Sequence, residues 1–545
     1  MKEIPAAVSL GPVAPALPPR ASTTDTRTAK AGAKKRIAAL PPTVSPAVAL
    51  EFAAFTRARW EKFLVPADLA DDVSFETWLK NRPYPDSRKK ELREAHALVM
   101  AWTETEWMKV KCHVKDEAYT AFKHARGIYS RTDQMKTILG PYISLVEKIV
   151  YAEECYVKNV PVRERPTYIT EILGQARAYL QTDYSSMESC QMGIIDEVGF
   201  NQFMDYMLSK VYMADDITSI IRQIGQCINH CEFKTFLLKV VGLMSGEIFT
   251  SLKNGTKNKD LMLFCVARRH YGYIPGVAPC TATTSELLEY STTIKMVVEG
   301  DDGLTALQFE HDVPDATDFA ELGFIIKIDR WSELSEASFC GIVFDPTDCI
   351  NVTDPVYELA QFGWTNSYYR RSNDKMLKTL LRARSLSMLH QYPGCPILQS
   401  VANYGLRMTT GIDVLHYIKE SRQLCEWDRH QLLAAYDFFY NGDKSVAFSR
   451  KLIEKSKLPG QRTRALVEKL FNVPIKQQEA IENYFDSKND LGPIDCPFVI
   501  DLFPDDWVTM FDRYHYISTR TDVHLDYPVY IYNSHKGFVP PLDWD

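Results

Sequence analysis

The residues of this chain best suited to chemistry are carboxylates at fixed spacings. Asp301 and Asp302 stand in Gly300-Asp301-Asp302-Gly303, between two β-prone runs, Ile294–Glu299 and Leu304–Phe309. A glycine on each side of two acids predicts a tight hairpin turn, which holds both carboxylates at the end of a rigid ribbon. Hard divalent cations need carboxylate oxygens fixed in this way. The same tripeptide also occurs as a plain solvated turn, so the chemistry depends on what other segments bring. Asp183 and Glu188 follow the strand-like run Ala178–Thr182, which puts the first acid at a strand end and the second about one helical turn on. Read alone, that pair is an N-cap with a first-turn acid. Ser245-Gly246 precedes a helical stretch, Glu247–Arg269, that carries Thr250 and Asn254. A spacing of four places those two polar side chains on one helical face. Between Lys109 and Lys136 lie Lys109, Lys111, Lys115, Lys123, Arg126, Arg131 and Lys136 against Asp116, Glu117 and Asp133. Arginine clamps phosphate oxygens bidentately and lysine supplies a point charge, so this segment suits a triphosphate channel; the alternative is a solvated basic face.

The elements that must position these groups follow from pattern and composition. The chain has 545 residues, enough for two to four domains or subdomains, and its 46% apolar and 24% charged residues are those of a soluble globular protein. A formal charge of −7 does not announce a nucleic-acid binder, yet a binding channel needs only local positive charge. The twelve scattered cysteines suit reduced thiols, and Cys227, His230 and Cys231 have no second pair at zinc-finger spacing. No apolar run reaches the ~18 residues of a spanning helix, and the N-terminus lacks the apolar core of a signal peptide. Residues 1–48 are rich in Pro, Ala, Thr and Ser with a basic cluster at Lys30, Lys34, Lys35 and Arg36, which predicts a disordered arm. Helical periodicity begins near Val48 with Phe52, Phe55, Trp60 and Phe63, and resumes over Lys89–Trp107. The stretch Ile194–Val241 reads as mostly helical, Phe324–Ile328 as a strand carrying Lys327, and Ser338–Phe344 as a small hairpin. From Asp354 to about Leu470 the pattern is helical, broken by Pro393-Gly394-Cys395-Pro396, and the segment beyond is rich in Tyr, Phe, Pro and Asp. Repeats at solenoid periods, a phosphate-loop motif and a His-Glu-x-x-His motif are absent.

The order of these segments resembles the right-hand RNA-dependent RNA polymerases of positive-strand RNA viruses, in the manner of the tombusvirus-like and nodavirus-like groups. The order is basic segment, Asp183-x4-Glu188, Ser245-Gly246-x3-Thr250-x3-Asn254, Gly300-Asp301-Asp302, the strand with Lys327, then the small hairpin. The resemblance covers about 111 to 344. It implies an α+β fold with fingers over 49–182, a palm with an antiparallel sheet and inserted fingers helices over 183–345, a helical thumb over 346–480 and a C-terminal extension over 481–545. By the same resemblance, Asp183 and Asp301 hold two Mg2+ or Mn2+ ions, with Asp302 as a third carboxylate. Ser245, Gly246, Thr250 and Asn254 read the incoming ribose, together with Glu188, where the family usually has Asp. Lys111, Lys115, Lys123, Arg126 and Arg131 line the NTP channel, with Glu117 as the ion-pair partner that orients it. Lys327 matches a lysine that protonates the pyrophosphate leaving group, against the plainer reading of a surface lysine at a strand edge. Phe339 and Cys340 are expected to be packing residues of the hairpin that supports the primer end. The implied partners are an RNA template and nascent strand, NTPs and other viral replication proteins, with work in the host cytoplasm in replication complexes tied to membranes through a partner. A reverse transcriptase is disfavoured by Asn254, where a DNA-making enzyme needs a block against the 2′-hydroxyl; a catalytically inactive RNA-binding replication scaffold is the alternative of a different class.

Overall fold

The two β-prone runs around Gly300 pair with each other, and two further strands complete a sheet around them. The computed structural model describes residues 8–10, 20–99, 104–119, 121–448, 450–503 and 529–531. The sheet is antiparallel and four-stranded: β1 (Ala178–Tyr184), β2 (Lys295–Glu299), β3 (Asp302–Leu307) and β4 (Ile326–Trp331), in the order β2-β3-β1-β4. The two-residue turn between β2 and β3 is Gly300-Asp301, closed by the pair Glu299–Asp302. Gly300 has φ +61°, the sign that a two-residue hairpin turn requires at its first position and that glycine adopts without strain.

One face of this sheet rests on a 21-residue helix, Thr250–His270, whose residues from Leu252 to Arg268 are all buried. A helix so polar can be buried because its charged side chains are paired inside. Lys253 meets Asp196 at 2.6 Å, Lys259 meets Glu153 at 2.6 Å, and Asp260 accepts from Arg59 at 2.7 Å and from Trp60 Nε1 at 3.0 Å. The helix Pro46–Phe63 packs on the same helix, with Phe52 and Phe55 against Phe264 at ring separations of 5.4 and 5.5 Å. Residues on both sides of position 183 therefore share one core, so no packing break separates 49–182 from 183–345. The other face of the sheet carries Tyr179, Val297 and Leu304, covered by Ile169 and Leu173 of the helix Arg165–Leu173 and by Leu334 and Phe344.

A second sheet stands beside the first. Strand Lys109–Val114 pairs antiparallel with Gly127–Arg131 and parallel with Asn229–Glu232, which pairs antiparallel with Leu237–Val240. The expectation of helix over Ile194–Val241 thus needs correction: helix ends at Gln226 and a hairpin follows. Over Leu237–Val240 buried and part-buried residues alternate, a period of two rather than 3.6.

The expected disordered arm is also corrected for its described part. Residues 26–36 form a helix, Thr26–Arg36, capped by Asp25, whose carboxylate accepts from Thr28 N at 2.7 Å. Composition misleads here because small side chains suit close packing: Ala29, Ala33 and Ile37 pack with Val110, Val114 and Tyr129 of the second sheet. An added Cβ on Gly32 would stand 2.2 Å from the Ala125 carbonyl oxygen. Ahead of the helix, Arg20 pairs with Asp116 at 2.7 Å. Residues 1–7 and 11–19 lie outside the described residues.

The C-terminal part is helical from Pro355–Gln361 to Ile475–Ser487 and has its own core, including Leu381, Leu386, Val401, Tyr404, Ile418 and Phe485. Pro393–Pro396 falls between the helices Asp374–Gln391 and Leu398–Met408. A separate extension from 481 does not describe its first part, because Ile475–Ser487 runs through that position and Ile494, Cys496 and Val499 enter the same core. Val529–Ile531 adds a parallel strand beside Leu237–Val240, while 504–528 and 532–545 lie outside the described residues. Among the described residues no helix is long and apolar enough to cross a membrane.

Candidate active site

Strand register gathers the acids. Thr182 of β1 pairs with Gly303 of β3, so Asp183, one residue further on, comes opposite Asp302. On its other side Asp183 pairs with Lys327 of β4. Opposite residues of adjacent strands project to one face, so Asp302, Asp183 and Lys327 form a row across the sheet end, with Asp301 at the tip of the turn beside them. Lys327 is 69% exposed, and its Nζ pairs with Asp329 at 2.6 Å although its strand position is opposite Asp183.

Asp301 reaches solvent at the tip of the turn, yet the protein crowded around its carboxylate desolvates it and raises its pKa, and the neighbouring Asp183 charge adds to the shift. Asp302 is pushed up to about 7, first by burial and then by Asp301, while a hydrogen bond from the Cys340 thiol opposes the shift. Crowded carboxylates with raised pKa values are what a site for a cation looks like before the cation's charge is counted. Cys340 packs against the cluster under the sheet, as expected of it, and its thiol acts on the Asp302 titration as well. It sits in the turn Phe339–Ile342, where Cys340 and Gly341 have φ of +53° and +74° and the ends exchange hydrogen bonds of 2.9 and 3.0 Å. The expected hairpin over Ser338–Phe344 is present as this single tight turn, which brings a thiol onto Asp302.

The long helix holds the acidic turn from below. Asn258, fully buried, donates from Nδ2 to the carbonyls of Asp301 at 3.1 Å and Gly300 at 3.3 Å. Gly303 leaves room for this contact: a Cβ there would stand 2.8 Å from Thr182 Oγ1 and 3.1 Å from Asn258 Nδ2. Asn258 was legible as the third member of the stripe Thr250, Asn254, Asn258, each four residues from the last. Of the other two, Asn254 accepts from Gln191 Nε2 at 2.5 Å, and the Thr250 hydroxyl donates to Met244 O at 3.0 Å. Thr250 thus holds the Ser-Gly loop rather than facing outward.

The Ser245-Gly246 loop docks edge-on to the strand Gly127–Arg131. Gly246 N donates to Tyr129 O at 2.9 Å, and Ser245 Oγ lies 3.4 Å from Gly127 O. A Cβ at Gly246 would stand 2.7 Å from Tyr129 O, so this approach requires glycine. Arg131 braces the junction: its guanidinium donates to Glu247 and to Asn229 Oδ1 at 2.6 Å, with its side chain 3% exposed. The structure does not bring Arg131 to the channel. Glu247, read from the sequence only as the start of a helical stretch, consumes its charge inside the protein.

The other cations lie differently. Lys115 Nζ meets Glu117 at 2.8 Å and Arg126 Nε meets it at 3.6 Å, so Glu117 does orient both. Lys111 and Lys123 are exposed on the same hairpin and its loop. Burial raises the pKa of Glu188, Asp301 adds to this, and the charges of Arg36 and Arg126 oppose it. Arg36, expected in a solvated tail, is carried by the helix Thr26–Arg36, whose Lys35 carbonyl accepts from Ser186 Oγ at 3.2 Å. Behind the turn, Glu299 at the end of β2 is held by Lys158 at 2.7 Å and Arg165 at 3.7 Å, and both cations face the Trp427 ring of the C-terminal part at 5.6 and 5.7 Å. No sequence spacing pointed to this link.

Compared with known proteins, the chain matches no family model and no curated protein sequence.

Proposed function

We propose that this protein is an RNA-directed RNA polymerase that copies a viral RNA genome, with β1 to β4 as the palm, the second sheet and its basic hairpin in the fingers, and the C-terminal helices as the thumb. The observation that carries the reading is that strand register brings Asp183 to the same end of a four-stranded antiparallel sheet as the distant pair Asp301 and Asp302. By donor type the set suits a hard divalent cation, three carboxylates, although their oxygens are not all within 4.8 Å of one another in this structure. Mg2+ or Mn2+ bound there supplies activation of the 3′-hydroxyl of the growing strand and neutralises charge on the transferring phosphate.

The chain's own residues do the rest. Asn258 and the β2–β3 ladder fix the height of Asp301 relative to Asp183. Lys115 and Arg126, held by Glu117, offer donors to the triphosphate, and Arg36 adds a third cation. Asn254, oriented by Gln191, and Glu188 stand toward the ribose, where the 2′-hydroxyl distinguishes RNA from DNA. Lys327, beside Asp183, is placed to give a proton to pyrophosphate as it leaves. RNA template and nascent strand, NTPs and other viral replication proteins are the partners of this reading, which places the enzyme in host cytoplasmic replication complexes.

The test is incubation of wild-type protein and Asp301→Ala with a short RNA template, four NTPs and Mg2+ or Mn2+. Template-length product from wild type alone is expected. RNA binding without product under either metal would favour the inactive scaffold, and preference for dNTPs would overturn the assignment to RNA synthesis.

A further inference from the structure

At the end of the sheet remote from the acidic turn, His270, His311 and Asp312 converge. Their ligand atoms all lie within 4.8 Å of one another. His270 is the last residue of the long helix, and His311 and Asp312 lie in the short turn Glu310–Asp312 that follows β3. One carboxylate oxygen, Asp312 Oδ1, has His270 Nδ1 at 2.9 Å and His311 Nε2 at 3.3 Å. Ligands of a tetrahedral ion bound at about 2.0–2.1 Å stand roughly 3.3 Å apart, close to both separations.

The surroundings are those of ligands already oriented. The other oxygen of Asp312 accepts the Tyr290 hydroxyl, and Asp312 is 1% exposed. The Tyr290 ring stacks on His270 at 3.6 Å with an interplanar angle of 12°, which fixes the imidazole plane. Such outer contacts are what hold metal-ligating histidines and carboxylates in place. The C-terminal end of a helix also favours a cation. His311, 60% exposed, leaves one side open to solvent, so an ion can enter and a water can complete its shell.

We propose that His270, His311 and Asp312 form a site for a borderline divalent ion, Zn2+ by ligand chemistry, separate from the acidic turn. Two imidazoles and a carboxylate select against Mg2+, which takes oxygen ligands, and suit zinc. The ion would clamp the C-terminal end of the long helix to the chain leaving β3, the two elements that also carry Asn258 and Asp302. The proposal does not depend on the polymerase reading.

Co2+ serves as the spectroscopic probe, titrated into the full chain in excess Mg2+ so that hard carboxylate sites are filled. One equivalent is expected to give visible d–d absorption of a tetrahedral N/O site without the near-ultraviolet thiolate band that the cysteines would produce, and one equivalent of Zn2+ should abolish it. His311→Ala, at an exposed position, should keep the fold and weaken Co2+ binding at least tenfold. His270→Asn should do the same, with circular dichroism as the check on folding. Absence of the band, a thiolate band alone, or a band unchanged in folded His311→Ala would overturn the site and leave a hydrogen-bonded His-Asp-His trio.

Discussion

Asn258→Ala tests how the acidic turn is held. The substitution removes two hydrogen bonds, at 3.1 and 3.3 Å, from a fully buried side chain to the carbonyls of Asp301 and Gly300. Neutral hydrogen bonds contribute about 0.5–1.5 kcal/mol each, so the pair is worth about 1–3 kcal/mol. The freed carbonyls lie at the turn, where Asp301 is exposed, so water replaces part of the loss and the fall in folding stability should be at the lower end of that range. On the proposed polymerase reading, catalysis has no such substitute, because Asp301 would have to keep its height relative to Asp183. If the same free energy is lost from the transition state, nucleotide addition slows by roughly 5- to 150-fold. The assay is rapid-quench addition of one nucleotide at saturating NTP and Mg2+, with urea unfolding run beside it. Asn254→Ala is the matched control one helical turn away: it loses the contact to Gln191 and should lower discrimination of NTP over dNTP while leaving the rate with NTP near that of wild type. A wild-type rate in folded Asn258→Ala, or a loss equal to the unfolded fraction, would refute the idea that the helix sets the turn.

Three other expectations follow from the same geometry. Arg131→Leu strands Glu247 in the interior and should cost about 3–5 kcal/mol, with partial recovery in the double replacement by leucine; urea midpoints read this, and the KM for NTP of the folded variant should not move. Gly246→Ala forces a Cβ to 2.7 Å from Tyr129 O and should cost about 1–3 kcal/mol by overpacking, again seen in urea. The pKa of Asp302 is raised to about 7 above an ordinary carboxylate near 3.8, so the folded state binds the proton that the unfolded state has already released. Stability of the metal-free protein should therefore fall as pH rises from about 4 to 7 and level off above, while Mg2+-induced thermal stabilisation should grow through that window; a Mg2+ shift independent of pH would contradict the raised carboxylate.

Local turn chemistry was readable in the chain because it depends on a few adjacent residues. Gly300-Asp301 and its flanking runs became a hairpin, and Cys340-Gly341 became a tight turn, each within a residue or two of the expected place. Helical stripes were readable for the same reason, and the spacing of Thr250 and Asn254 marked a polar face of the long helix, although Asn258, the next residue on it and the one that meets the turn, was not singled out. The basic hairpin and its Glu117 were readable as charge pattern, although the pattern could not separate Arg126, which stays half-exposed beside Glu117, from Arg131, which is buried against Glu247. Both are arginines in one short strand region, and only the third partner, Glu247, 116 residues on, decides which guanidinium is consumed.

What the sequence hid is of that last kind: polar residues whose partners are distant. The helix Thr250–His270 looks amphipathic or solvated by composition and is buried because Asp196, Glu153 and Arg59 come from other segments to neutralise it. The helix Thr26–Arg36 looks like part of a solvated tail, and is ordered because alanines and Gly32 let it lie close on a sheet formed from strands 80 to 200 residues away. In both places low hydrophobicity accompanies close packing rather than disorder. That is why the acidic turn rests on a rigid support: Asn258 can reach the Gly300 and Asp301 carbonyls only because the helix carrying it is locked by buried ion pairs on its other sides. Position of the carboxylates, the quantity their chemistry depends on, is thus set by residues that never touch them.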